Sequence, residues 1–113
     1  MSVVTAPGNA AEAGLAIAHA LEDAGISYAL GGALALGAHG VPRGTLDVDV
    51  NVFVTEQELP RVVSRLQALG VEVELDAAQA RVQRDGMFIG QWAGMRIDER
   101  VAEWDRVSRF GAP

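Results

Sequence analysis

The alternation in TLDVDVNVFV, residues 45–54, limits the possible folds of this chain more than any other feature. On an extended strand, Leu46, Val48, Val50 and Val52 fall on one side. Asp47, Asp49, Asn51 and Phe53 fall on the other. Aspartate is depleted in strands, whereas valine is enriched. The segment therefore reads as a strand with one core face and one polar face. Its flanking valines indicate a central, partly buried position, where unpaired aspartates are costly. Residues two apart on a strand project to the same side, about 6–7 Å apart. Asp47 and Asp49 then repel each other unless a cation lies between them.

The segments around this strand set its context. Residues 1–9 read as a loose leader, with Pro7, Gly8 and Asn9 marking a helix start. A helix is expected over 10–24, with Leu15, Ala18 and Leu21 on its inner face, Asn9 and Glu12 near a capping box, and Gly25 as the stop. ISYAL, residues 26–30, reads as a short buried strand. Gly31 and Gly32 then turn the chain into a short helix, about 33–39, and Gly40, Pro42 and Gly44 break into a loop. After the acidic strand, Thr55, Glu58 and Pro60 open a helix carrying Val63, Leu66 and Leu69. VEVEL, 71–75, alternates like a strand, and 76–86 is polar and ambiguous. MFIGQW and MRID read as a hairpin around Ala93 and Gly94. Residues 99–110 suit a closing helix with Val101, Trp104 and Val107 at spacing three. The order points to one α/β (α+β) domain over residues 1–113, a mixed sheet with helices packed on it.

Composition narrows the function classes. Half of the residues are apolar and 21% are charged, an ordinary globular balance. There is no cysteine, which excludes disulfides and thiolate metal sites and fits a cytoplasmic setting. No apolar run approaches the roughly 20 residues of a membrane span. The net charge is −6 and every basic residue is arginine. That field repels nucleic acid at long range, but a nucleotide that binds through a metal ion escapes the objection.

The chemistry concentrates in GGALALGAHGVPRGTLDVDV, residues 31–50. Gly31 and Gly32 let the backbone approach a ligand, and the helix after them offers free N–H groups to an anion. Asp47 and Asp49 can share one divalent cation or hold two, and an all-oxygen set favours Mg²⁺ or Mn²⁺. Asp98, in GMRID, is the candidate third carboxylate; it reads equally well as the cap of a following helix. Arg96 and Arg43 are placed to meet phosphate or carboxylate groups, or to form surface ion pairs. Each feature also has a plainer reading: a tight turn for the glycines, a solvated face for the aspartates. His39 reads as a helix-end residue.

In combination, the glycine pair, the short helix, HGVPRGTLDVDV and the late GMRID resemble the nucleotidyltransferase (polymerase-beta-like) superfamily. The detail is similar to small bacterial members, including the AbiEii-type toxin group. The resemblance spans about residues 15–110. It implies that Gly31 and Gly32 bind phosphate and that Asp47 and Asp49 hold metal, with Asp98 as third catalytic and metal-ligating carboxylate. Arg43, Thr45 and Arg96 join the substrate-binding set. Many active members carry serine after the first glycine, where this chain has Gly32 followed by Ala33. Members also commonly continue into a helical C-terminal region; against that pattern this sequence reads as a minimal form, a fragment or half of a two-chain site.

The expected activity is metal-dependent transfer of a nucleoside monophosphate from a nucleoside triphosphate to an acceptor hydroxyl on an RNA end, a protein or a small molecule. The alternative is a non-catalytic nucleotide- or partner-binding module, within a toxin–antitoxin pair or with a helical partner or second copy. A structural domain with a solvated acidic strand is the third reading.

Overall fold

A computed structural model describes residues 6–31 and 47–102. The described chain runs α1 (Ala10–Asp23), β1 (Tyr28–Leu30), β2 (Asp47–Val52), a 3₁₀ turn (Glu56–Glu58), α2 (Leu59–Leu69), α3 (Leu75–Asp85), β3 (Met87–Trp92) and β4 (Met95–Val101). The sheet order is β1-β2-β4-β3. β2 and β4 pair in parallel, while β1 and β3 pair antiparallel to their inner neighbours. The architecture is a mixed α/β sheet with helices packed on it. No described helix is long and apolar enough to cross a membrane.

Local sequence explains most element boundaries. Asn9 caps α1 by accepting the Glu12 N–H at 2.8 Å. The Glu12 carboxylate reaches back to the Gly8 N–H and the Asn9 side chain, each at 3.1 Å. Thr55 and Glu58 make the corresponding contacts before α2. Gly70 and Gly86 close α2 and α3 in the left-handed region. The β3–β4 hairpin turns on Ala93 and Gly94, at φ 51° and 79°. Positive φ at both positions is the turn that matches strand twist, and Ala93 accepts a strained conformation to provide it.

Three expectations change. Leu15 is 56% exposed, whereas Ala18 and Leu21 are buried as expected, on an inner face that Ala10, Ala13 and Ile17 complete. VEVEL does not form a strand: Glu72 makes one isolated bridge to Gln91, and Leu75 already begins α3. The closing helix does not begin at 99, because β4 continues through Val101. Its partners on both sides, β2 and β3, outweigh the helical propensity of DERVAEW. The expected helix at 33–39, the loop containing Arg43 and Thr45, and Trp104 and Val107 lie outside the described residues.

The core lies between the sheet and the helices. α1 packs on β1 and β2, α3 packs on β3, and α2 touches both other helices. Val48, Val50 and Val52 from β2 are fully buried beside Phe88 and Ile97. Arg61 on α2 donates to the Ala24 carbonyl at the end of α1, tying the two helices together. At the outer edge of the sheet, Gly90 lets segment 71–73 lie against β3. A Cβ there would sit 2.7 Å from Val71 Cγ1. Gly90→Ala should therefore lift this segment from the sheet and destabilise the fold by about 1–3 kcal/mol, measured by urea unfolding.

One core position is charged by type. Glu99 is in register with Val50 and Phe88 and is fully buried. Neither carboxyl oxygen has a hydrogen-bond partner among the described residues. Burial pushes its pKa well above the usual carboxylate range. A buried valine contributes roughly 1.5–2 kcal/mol, and an unpartnered polar group costs about 1–3 kcal/mol. The apolar strand faces around Glu99 therefore outweigh it. The folded state keeps a proton that the unfolded chain releases, so stability falls as pH rises above the ordinary glutamate value. Glu99→Met should be more stable than the parent near pH 7, with a gain that shrinks towards pH 4 at no more than about 1.4 kcal/mol per pH unit. Urea unfolding across that range measures it.

Candidate functional site

The face of the sheet opposite the core collects the polar side chains of β2 and β4. In the parallel ladder, Asp47 stands opposite Arg96, Asp49 opposite Asp98, and Asn51 opposite Arg100. Period-two alternation puts Asp47, Asp49 and Asn51 on one side of β2, and Arg96, Asp98 and Arg100 on the same side of β4. The three predicted acids thus come from two adjacent strands onto one surface. Asp98 is interior to β4, so it is not the cap of a helix.

Gly31 borders this surface from the other side. It follows β1 and donates its N–H to the Asp49 carbonyl at 2.9 Å. A Cβ on Gly31 would lie 3.3 Å from Asp49 Cβ and 3.7 Å from Asn51 Nδ2. The missing side chain lets the Gly31 backbone sit directly against the acidic strand. The Gly31 N–H is committed to the ladder, so what this residue offers a ligand is the space beside Asp49. Gly32, Arg43 and Thr45 lie outside the described residues.

The electrostatics of the face are uneven. Burial raises the pKa of Asp49, and the Asp98 charge and a hydrogen bond with Asp98 raise it further. Arg100 opposes this shift, and Asp47 adds to it. Arg96 Nε donates to Asp98 Oδ1 at 2.7 Å, with side chains 50% and 15% exposed. Arg100 and Asn51 were not singled out in the sequence, although the alternation Arg96-Asp98-Arg100 carried the signal. Reading DERVAEW as a helix start hid it.

Asp49 and Asp98, in register across the two strands, form a donor pair whose repulsion, which adds to burial in raising the Asp49 pKa, a hard divalent cation relieves. Among the described residues, no group of three His, Cys, Asp or Glu side chains gathers closely enough to hold a metal. Mg²⁺ is commonly held by one or two carboxylates, with water and substrate phosphate oxygens completing the octahedron. The oxygen-only chemistry of Asp49 and Asp98 fits that mode of binding.

No protein family, curated protein or solved structure matches the chain.

The raised Asp49 pKa has a stability consequence with a definite sign. Below its unfolded value, both states are protonated and there is no penalty. Above it, the folded state resists ionisation, so stability falls as pH rises. In metal-free buffer, Asp49→Asn should raise stability near pH 7 by a few tenths to about 1 kcal/mol, the range of a solvent-screened pair. The gain should vanish near pH 3. Thermal unfolding of the two proteins in chelator across this range checks it.

Proposed function

We propose that this chain is a nucleotidyltransferase-like domain that transfers a nucleoside monophosphate from a triphosphate to an acceptor hydroxyl with Mg²⁺ or Mn²⁺. The observation that supports this reading most is the register of Asp49 with Asp98 across β2 and β4, directly beside Gly31. A carboxylate whose pKa is raised by burial and by a second carboxylate beside it, as for Asp49 next to Asp98, is the kind of group that phosphoryl chemistry employs.

The roles follow from position. Asp49 from one strand and Asp98 from the next would hold the metal, with Asp47 beside them on the same face of β2. When bound, the ion neutralises charge on the phosphate oxygens. Asp98 is placed to accept the proton of an attacking hydroxyl or to complete the ligand set. Glycine at position 31 allows the triphosphate to approach the acidic strand without a side chain in the way. Arg96 and Arg100 supply positive charge on the same face for the phosphates. The acceptor is an RNA end, a protein side chain or a small molecule, and a protein partner or second copy completes the surface that grips it.

A second reading has its own support. Arg96 engages Asp98, and the described carboxylates form no three-ligand group. Those two facts favour a module that binds nucleotide or partner without transfer.

The test is incubation with each α-labelled triphosphate, Mg²⁺ or Mn²⁺, and a cell extract. Label should pass to an acceptor, and Asp49→Asn should reduce transfer by about 100-fold or more, the scale of lost electrostatic stabilisation. Triphosphate-dependent thermal stabilisation without transfer selects the binding module. Absence of both overturns the nucleotide reading.

A further inference from the structure

Among the described residues, a cation already touches the carboxylate pair: the Arg96 guanidinium. Arg96 stands opposite Asp47 in the ladder and one alternation before Asp98. Its Nε holds Asp98 Oδ1 at 2.7 Å, while half of its side chain remains in solvent. The charges of Asp98, Asp47 and Asp49 all act on its guanidinium. It is therefore the one described side chain that is both bonded to an acid of the pair and coupled to all three acids. Its partner on the other side, Gln91, is neutral and exposed, so nothing on β3 competes for it.

We propose that Arg96 is an exchangeable counter-ion: it neutralises the carboxylates in the metal-free protein, releases Asp98 when a divalent cation binds there, and then meets the phosphate that accompanies the cation. This rests on the metal-binding reading of the acidic face given above. Two cations cannot share Asp98 cheaply, because a divalent ion and a guanidinium repel at contact distance. Arginine suits both partners, since its planar fork matches carboxylate and phosphate oxygens alike. Its exposure leaves the long side chain free to swing without opening the core. The guanidinium thus occupies Asp98 in the metal-free protein, while Asp49 remains under the Asp98 charge that an arriving metal would relieve.

The exchange has a signature of opposite signs. With Mn²⁺ alone, Arg96→Ala should bind about three- to tenfold more tightly than the parent, because a competing charge is gone. With Mn²⁺–tripolyphosphate, the same variant should bind at least about threefold more weakly, because a phosphate partner is gone. Arg96→Lys keeps the charge and should restore most of the parental Mn²⁺ affinity. Arg84→Ala, which removes the same charge from the exposed side of α3, should move neither value appreciably. Manganese spin-resonance titration reads the first quantity and calorimetry the second; circular dichroism checks that each variant is folded. Unchanged or weaker Mn²⁺ binding by Arg96→Ala, in a parent protein that binds the ion, overturns the exchange and leaves the metal reading intact. Tighter Mn²⁺ binding with unchanged tripolyphosphate affinity also overturns it, since the phosphate step fails. Absence of Mn²⁺ binding in both proteins overturns the exchange together with the metal reading beneath it.

Discussion

The parallel pairing of β2 with β4 governs both faces of this sheet. One register places Asp49 beside Asp98 on the polar side and Val50 beside Glu99 on the apolar side. A slip of one residue would exchange the two faces, driving the aspartates into the core and the valines out. Val48, Val50, Val52 and Ile97, all fully buried, make that slip prohibitive. The hydrophobic side therefore fixes the geometry of the acidic side. Parallel strands also require a long connection, and α2, α3 and β3 fill it.

The two faces treat acidic side chains in opposite ways. On the open face, Asp47, Asp49 and Asp98 are countered by Arg96 and Arg100, and solvent screens what remains. On the closed face, Glu99 has no counter-charge among the described residues and is held as an acid that resists ionisation. Both arrangements place tension in β4, the strand that carries Arg96, Asp98, Glu99 and Arg100. Such local conflict is commonest where function opposes stability.

Much of this was legible in the sequence. Period-two valines announced β2 and its face, Asn9 with Glu12 and Thr55 with Glu58 announced the helix starts, and Ala93-Gly94 announced the hairpin. These signals are local, so a linear reading captures them. Asp47 and Asp49 shared a strand and were readable together. The match of Asp49 to Asp98 was not, because strand order and parallel register depend on contacts far apart in the chain. The extent of β4 was misread for the same reason: IDERVAEW favours a helix by propensity, and only pairing with two strands overrides it. The exposed position of Leu15 reflects packing of α1 against β1, β2 and α2, which sequence spacing resolves only within a residue or two.

The bridge between Glu72 and Gln91, with Val71 resting on Gly90, has a directional effect on assembly. It covers backbone donors and acceptors along the outer border of β3. Another chain that sought to lengthen the sheet at this end of β3 would first have to displace segment 71–73 and give up the fit of Val71 on Gly90.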